Sequence, residues 1–257
     1  MFSDARIREV FHFCFLDRFL KLSNPGLYVL RGGANLRFFF NSPCYSEDMD
    51  IDVLAGSAGA LKNNAYKILH DCAFRRSLRS FHIADIEIDK PARASQIDTT
   101  QRFRFGLVTS AGKRLPTKVE FSQRNDSHDG ESEISLIDAG IARTYRTLAY
   151  RCPHYTGPTA VAQKLRALAG RPVPQARDVF DLAILIRAAH SPPAPRSKLL
   201  GRKGHAKALD SLMSLSWDDY EGQVVEFLHD DSRDEFGDRH AWERLRNRVL
   251  NELESHA

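Results

Sequence analysis

Apolar side chains recur along the chain with two different periods, one typical of strands and one typical of helices. The strand-like stretches are residues 27–30, 82–89, 102–108 and 115–122. The helix-like stretches are residues 10–22, 57–74, 158–169, 175–189, 218–228 and 240–254. A glycine-containing turn joins the last two strand-like stretches and predicts a hairpin. The pattern predicts a mixed α/β part over residues 1–125 and a mostly helical part over residues 150–257, with residues 126–149 unassigned.

Three aspartates recur at every second position after the first apolar run. Asp48, Asp50 and Asp52 alternate with Met49 and Ile51. Alternate residues of a strand share a face, so the carboxylates lie on one side, about 6.5–7 Å apart. Such carboxylates can bind one or two Mg²⁺ ions, which activate an attacking oxygen and stabilise a leaving oxygen. A solvated edge strand is the alternative, although aspartate is depleted in strands.

A pair of glycines precedes the aspartates. Gly32 and Gly33 follow the apolar run at residues 27–30, and a helix is predicted to begin at Ala34. Glycine permits a tight turn with exposed N–H groups, and a helix N-terminus favours phosphate. A plain strand-to-helix turn is the alternative for the pair alone. An anion-binding turn beside a divalent-metal site is the combination that phosphoryl and nucleotidyl transfer need.

Composition and charge place few further bounds on function. The chain has 257 residues, of which 42% are hydrophobic, and this suffices for a packed core. The net charge of +4 and the pI near 8.9 are compatible with an anionic partner. Four scattered cysteines without metal-ligand spacing predict a reduced, cytoplasmic protein. No apolar run predicts a signal peptide or a membrane span.

These segments resemble the signature of the nucleotidyltransferase superfamily, and most closely that of the AbiEii/AbiGii-type toxin family. Gly32, Gly33 and residues 46–52 resemble its opening motif. Residues 118–122 resemble a later strand that supplies a third acidic residue. Residues 162–168 and 177–182 resemble its lysine and Arg-Asp-x-x-Asp-Leu motifs, in the family's order. Ala34 departs from the pattern, because the family usually has serine or threonine there.

The resemblance implies an α+β fold, with a nucleotidyltransferase-like mixed β-sheet core flanked by helices and a helical C-terminal part that closes the cleft. It implies transfer of a nucleotide from an NTP with Mg²⁺ or Mn²⁺. We predict that Asp48 and Asp50 bind the metal, with Glu120 as a third carboxylate in preference to Glu87 or Asp89. Asp52 is interpreted as a structural residue.

The same resemblance suggests which residues contact the nucleotide. The predicted nucleotide-binding residues are Gly32, Gly33, Arg37, Ser46 and Lys164. Lys164 is expected to neutralise phosphate charge in catalysis, and Asp178 is expected to serve as a base or a polar anchor. In sequence terms alone, Lys164 reads as a solvated helix lysine and Asp178 as a partner of the helix dipole.

The partners implied are the NTP, a cognate antitoxin and an acceptor, which is RNA such as a tRNA end or a protein hydroxyl. The arginines that could contact RNA phosphates are Arg75, Arg76, Arg79, Arg143, Arg146 and Arg151. A non-catalytic nucleotide-binding or regulatory module is an alternative, favoured by Ala34. A metal-dependent phosphohydrolase is another, and it would release phosphate rather than pyrophosphate.

Overall fold

The computed structural model describes residues 2–89, 100–123 and 130–255, which divide into two compact units. The N-terminal unit contains the described residues up to 155, apart from residues 40–44. The C-terminal unit contains residues 40–44 and the described residues from 156 onward.

One mixed sheet forms the centre of the N-terminal unit. In the described ranges its strands are β1 (Tyr28–Arg31), β2 (Asp48–Val53), β3 (Ile83–Ile88), β4 (Thr100–Thr109), β5 (Arg114–Ser122), β6 (Ser132–Leu136) and β7 (Arg151–Tyr155). Their order across the sheet is β3-β4-β5-β2-β1-β7-β6. Strand β2 pairs parallel to β5 and antiparallel to β1, and β1 pairs parallel to β7. The aspartate-bearing strand therefore lies in the middle of the sheet, where both of its edges are paired.

Helices cover this sheet and bury its apolar face. They are α1 (Asp4–Leu22), α2 (Gly32–Phe39), α3 (Ala58–His70), α4 (Cys72–Leu78) and α5 (Ala139–Thr144). The ring of Phe11 on α1 lies 5.1 Å from that of Phe105 on β4, and Phe19 lies 5.4 Å from Phe121 on β5. Strand β2 adds its apolar residues to the same core. Because successive side chains point to opposite faces, this burial directs the aspartates to the polar face.

The C-terminal unit is helical in the residues described. Its helices are α6 (Gly157–Gly170), α7 (Ala176–Arg187), α8 (Arg196–Ser214), α9 (Trp217–Gln223), α10 (Arg233–Phe236) and α11 (Arg239–Glu254). Aromatic rings form its interior: Tyr220 stacks on Trp242 at 5.0 Å, and Phe180 meets Phe236 edge-on at 5.6 Å. Gly201 has φ +63° and kinks α8. Across the described part of the chain, every helix is too short or too polar to cross a membrane.

The α+β organisation predicted from the sequence is confirmed, with differences in detail. The single helix predicted over residues 57–74 is two helices, because Asp71 separates them. The Asp71 N–H donates to the Ile68 carbonyl at the end of α3, and its side chain accepts from the Ala73 N–H at 2.8 Å to begin α4. The unassigned junction contains β6 and α5, while residues 124–129 lie outside the described residues. Helix α8 was not predicted.

A buried histidine joins α1 to the sheet. His12 is 1% exposed, and its Nε2 lies 3.0 Å from the Thr117 hydroxyl on β5. Burial, reinforced by the positive charge of Arg8, lowers the pKa of His12 to about 3. The imidazole is therefore neutral in the folded protein at neutral pH.

We expect His12 to make stability depend on pH. An unfolded histidine has a pKa of about 6.5, so between about pH 3 and 6.5 the unfolded chain binds more protons than the folded chain. The free energy of unfolding should therefore fall as pH drops through this window, by up to about 1.4 kcal/mol per pH unit from this group, and this contribution should be constant above it. Urea denaturation between about pH 4.5 and 7.5 measures the slope. His12→Gln should flatten it, whereas His240→Gln, at an exposed position, should not. An unchanged slope in His12→Gln would contradict the assignment.

Candidate active site

The polar face of the sheet carries a row of four charged side chains on four neighbouring strands. Arg31 on β1 is the register partner of Asp50 on β2, Asp50 is the partner of Glu120 on β5, and Glu120 is the partner of Arg102 on β4. Register partners project from the same face, on strands about 4.8 Å apart. Two carboxylates therefore lie side by side, with an arginine on each outer side.

Burial and two neighbouring carboxylates disfavour the charged form of Asp50. Burial raises the pKa of its carboxyl above the usual range. The negative charges of Glu120 and Asp48 raise it further, against the opposing effects of Arg31 and Lys118. A carboxylate in such surroundings gains stability from an additional cation.

The neighbouring carboxylates are balanced by cations of the sheet itself. Glu120 is buried, and it accepts hydrogen bonds from Arg102 at 2.6 Å and from the Ser122 hydroxyl at 3.1 Å. Burial disfavours its charged form, but Arg102 outweighs burial and holds the pKa of Glu120 below its usual value. Asp48 is half-exposed, with Lys118 Nζ at 3.0 Å from its carboxylate.

The two rival carboxylates lie elsewhere on the sheet. Glu87, on the edge strand β3, pairs with Arg114 at 3.1 Å, and Asp89, just beyond that strand, pairs with the same arginine at 2.6 Å. Strands β4 and β5 separate β3 from β2. The structure therefore brings Glu120 to the aspartates, and not Glu87 or Asp89.

Asp52 is the third aspartate of β2 and is fully buried. Its carboxylate accepts hydrogen bonds from Arg31 Nη1 at 3.1 Å and from the Tyr155 hydroxyl at 3.0 Å. These partners come from β1 and β7, so Asp52 ties three strands together.

The glycine turn packs directly against the aspartate strand. Gly32 has φ +67°, and a Cβ atom there would lie 3.0 Å from Asp50 Oδ2. A Cβ atom at Gly33 would lie 2.8 Å from Ser46 Oγ, which itself donates to the Asp48 carbonyl at 2.7 Å. Only glycine allows this approach of the α2 N-terminus to β2. The next residue, Ala34, is buried in the apolar core.

Arg37 on α2 contacts an interior carboxylate. Its Nε donates to Glu9 at 2.5 Å, and the Tyr145 hydroxyl donates to the same carboxylate. The guanidinium also lies 5.1 Å from the centre of the Tyr45 ring. A nucleotide contact by Arg37 stays a prediction, beside this observed contact with Glu9.

Lys164 and Asp178 belong to a second charged cluster, inside the C-terminal unit. Lys164 Nζ lies 2.6 Å from Asp181 and 3.1 Å from Asp178, and Arg171 Nε donates to Asp178 at 2.6 Å. Asp178 is fully buried. Burial opposes charge on Lys164, but the carboxylates of Asp181 and Asp178 outweigh it and raise the pKa of the lysine. Burial also opposes charge on Asp178, but Lys164 and Arg171 outweigh it and lower the pKa of the aspartate.

Two members of this cluster were not singled out as site residues from the sequence. Burial raises the pKa of Asp181 despite the opposing charge of Lys164. Asp181 was visible as the second acid of the Arg-Asp-x-x-Asp-Leu motif. Arg171 follows α6 immediately and has no motif of its own, so its contact with Asp178 depended on the tertiary fold.

The donor chemistry of the sheet site fits a divalent cation. Carboxylate oxygens are the ligands that Mg²⁺ prefers, and Asp48 and Asp50 present them from one strand face. Arg31 has a buried Nε–H that makes no hydrogen bond to any described residue, and this group can donate to an anionic oxygen but cannot bind a metal. In the three described ranges, no group of three or more His, Cys, Asp and Glu side chains is arranged to hold a metal ion. Asp48 and Asp50 are the candidate ligands, and Glu120, which Arg102 and Ser122 engage, lies beside them without forming a three-ligand group in this structure.

The mixed sheet with flanking helices, which carries the glycine turn and the strand of carboxylates, has the fold of nucleotidyltransferase toxins of known structure. Residues 14–255 match the family described as nucleotidyl transferase AbiEii toxin, type IV TA system. The chain therefore belongs to this family. A comparison with curated proteins finds no match.

Solved structures share the fold at low sequence identity. MenT4, a nucleotidyltransferase toxin from Mycobacterium tuberculosis, superposes with a TM-score of 0.64 at 17% identity, over 95% of this chain and 82% of that one. JHP933 from Helicobacter pylori superposes with a TM-score of 0.52 at 16% identity, over 99% of this chain and 95% of that one. At these identities the similarity concerns the fold.

We expect Asp52 to contribute to stability far more than Asp48. Asp52→Ala leaves Arg31 without its carboxylate partner in the sheet and should lower the free energy of unfolding by about 3 kcal/mol. Asp48→Ala removes a half-exposed ion pair and should cost less than about 1 kcal/mol. Urea denaturation of both variants measures the difference. Equal losses would contradict the structural role of Asp52.

Proposed function

We propose that this protein transfers a nucleotide from an NTP to an acceptor in a metal-dependent reaction, and that it acts as the toxin of a toxin–antitoxin pair. Membership of the AbiEii family supports the transferase class. The observation that carries the metal dependence is the placement of Asp50 beside Glu120, with Asp48 on the same face. Burial and the negative charges of the neighbouring carboxylates disfavour the charged form of Asp50, and a bound cation would offset this cost.

The proposed metal ligands are Asp48 and Asp50, with Glu120 as the third carboxylate. When bound, Mg²⁺ or Mn²⁺ would activate the attacking oxygen and offset charge on the phosphate. Arg102 keeps Glu120 ionised, so this carboxylate contributes negative charge to the site at neutral pH. Asp52 stays outside the ligand set because Arg31 and Tyr155 engage its carboxylate.

The glycine turn is proposed to receive the triphosphate. Gly32 and Gly33 begin α2, whose free N–H groups and positive dipole end attract an anion. Ser46 packs on Gly33 and orders the chain before Asp48. Because Ala34 points into the core, the triphosphate is proposed to interact with backbone N–H groups rather than with a side chain at this position.

Lys164 is proposed as the cation that offsets phosphate charge in the transition state. Preorganised charges of this kind are often the largest catalytic contribution. Asp178 is fully buried and has a lowered pKa, so it suits the role of polar anchor better than that of general base. Asp178 and Asp181 would keep Lys164 protonated and fixed in one orientation.

A transfer assay with matched carboxylate variants tests the proposal. Purified protein is incubated with NTPs labelled on the α-phosphate, Mg²⁺ and total RNA. Asp48→Asn and Asp50→Asn should each lower labelling at least about 100-fold, because the charge at the metal is reduced. Glu120→Gln should also lower it, whereas Glu87→Gln on the edge strand should match wild type.

The outcomes of this assay separate the candidate functions. Equal labelling by wild type and Asp48→Asn would overturn the metal-ligand assignment. With NTPs labelled on the γ-phosphate in a parallel reaction, release of labelled free phosphate without labelled pyrophosphate would indicate a phosphohydrolase. Nucleotide binding without either product would indicate a non-catalytic module. Label on the protein itself would identify a protein hydroxyl as the acceptor instead of RNA.

The acceptor that we propose is RNA, such as a tRNA end. Exposed basic side chains on α8 support this proposal. Lys198, Arg202, Lys203 and Lys207 are exposed, and Asp210 is the one acidic residue in the sequence of this helix. Clustered basic side chains bind the phosphates of nucleic acids, and this binding is favoured by the release of counterions from the phosphates.

The arginines predicted from the sequence differ in availability for such contacts. Arg75 is engaged by Asp85 at 2.6 Å, and Arg151 donates to the Ile134 carbonyl at 2.7 Å. Exposed positions are held by Arg76, Arg79, Arg143 and Arg146.

Two charge reversals of equal size test the role of α8. Lys203→Glu with Lys207→Glu should weaken RNA binding and reduce the slope of log affinity against log salt by about 1 to 2, as expected for two lost phosphate contacts. Arg76→Glu with Arg79→Glu makes the same change in net charge, on α4 and directly after its end. Fluorescence anisotropy with labelled tRNA across a salt series measures both. Equal effects of the two pairs would contradict a specific role for α8, because net charge or contacts at Arg76 and Arg79 would then explain the binding equally well.

The remaining parts of the proposal concern the cellular setting. A cognate antitoxin follows from the type IV toxin–antitoxin family. We propose a reduced, cytoplasmic location, in keeping with the four described cysteines, Cys14, Cys44, Cys72 and Cys152, which form no disulfide.

A further inference from the structure

We propose that His12 and Thr117 are positioning residues that hold Asp48 in place through the backbone of β2. Both lie in the N-terminal unit, and neither belongs to the motifs that define the family resemblance. The inference rests on the proposed function, in which Asp48 is a metal ligand.

A relay of two hydrogen bonds connects α1 to the residue before Asp48. The Thr117 hydroxyl lies 2.6 Å from the Glu47 carbonyl oxygen, which can only accept, so the hydroxyl donates its single proton there. Its oxygen is then free to accept from His12 Nε2–H at 3.0 Å. The contact therefore fixes the tautomer of His12, which carries its proton on Nε2.

Burial makes this relay rigid. His12 is 1% exposed and Thr117 is 5% exposed, so water does not compete for either hydrogen bond. The low pKa of His12 keeps the ring neutral, and a neutral ring with its proton on Nε2 suits a single donated bond. Losing either polar partner would leave a buried donor or acceptor unsatisfied.

The relay acts where the parallel pairing of β2 and β5 begins. Asp48 is the first residue of β2, and its register partner Lys118 directly follows Thr117. The carbonyl before Asp48 is held by Thr117, and the carbonyl of Asp48 is held by Ser46 at 2.7 Å. The peptide that carries the Asp48 side chain is thus fixed from two sides.

Helix α1 adds a second attachment at the same place. Arg8 Nε donates to the Pro116 carbonyl at 2.9 Å, one residue before Thr117. Its Nη2 also lies 3.9 Å from the Glu47 carboxylate. Helix α1 therefore contacts both strands at the start of their ladder. Ligands must be held within about 0.5 Å of their working position, and support of this kind provides that precision.

A purely structural role makes a different prediction from a positioning role. If His12 and Thr117 only fill and stabilise the core, substitutions should lower stability without a specific effect at β2. If they position Asp48, the segment at residues 46–48 should loosen, and metal binding should weaken. Outer partners of metal ligands change affinity by about 10- to 100-fold when they are removed.

Two substitutions of Thr117 separate these roles. Thr117→Val keeps the shape and removes the hydroxyl, whereas Thr117→Ser keeps the hydroxyl. His12→Phe keeps a ring and removes the donor. Thr109→Val is the matched control, because Thr109 is also a buried threonine of the sheet, and its hydroxyl accepts from the Lys113 N–H at 3.1 Å at the far hairpin.

Hydrogen–deuterium exchange of the peptide containing residues 46–48, and Mn²⁺ affinity by electron paramagnetic resonance, are measured on the full chain. Thr117→Val and His12→Phe should speed exchange there and weaken Mn²⁺ binding at least about tenfold. Thr117→Ser should stay within about twofold of wild type, and Thr109→Val should leave both measurements unchanged.

Each of the two measurements can contradict a different part of the proposal. If Thr117→Val behaves like Thr109→Val in exchange at residues 46–48, the positioning role is overturned. If wild type binds no Mn²⁺, the metal site of the proposed function is wrong, while exchange still decides whether the relay positions the strand. Faster exchange with unchanged Mn²⁺ affinity would overturn the link to Asp48.

Discussion

Two carboxylates, those of Asp50 and Glu120, lie next to each other on adjacent strands, and much of the N-terminal unit serves to hold them there. Like charges side by side on a sheet repel each other, so the arrangement needs compensation. Arg31 on β1 and Arg102 on β4, the strands that flank β2 and β5, provide part of this compensation. The opposite face provides the rest, because the apolar residues of β2 and β5 are buried in the core and keep the register from shifting. Two adjacent carboxylates thus occupy the centre of the face, and the proposed cation site depends on this arrangement.

The alternation of the sequence was sufficient to predict this face, because the period of a strand is two and the aspartates follow it. Choosing Glu120 over Glu87 needed the resemblance, since both alternate with apolar residues and only the strand order distinguishes them. The pattern of apolar and polar positions does not predict the order of the strands across the sheet. Strand β7 contains Pro153, and β6 lies in a stretch with no clear period, so neither could be assigned locally.

The contacts that support the site were the least predictable part. Neither His12 nor Thr117 carries a signal in the sequence, because their hydrogen bond joins positions far apart in the chain. Lys164 and Asp178 were visible as motif residues, yet their observed pairing depends on how α6 packs on α7. Polar residues in these positions follow no periodic rule. Their role emerges only when the fold brings donors and acceptors together.

The parallel register between β2 and β5 also limits how the gene can vary. A one-residue insertion within β5 ahead of Glu120 would turn that carboxylate towards the core and bring Phe121 to the polar face. The same insertion in the turn between β4 and β5, around Gly112, would leave the pairing with β2 intact. Homologous chains should therefore differ in length at hairpin tips, while the distance in residues from Thr117 to Glu120 stays constant.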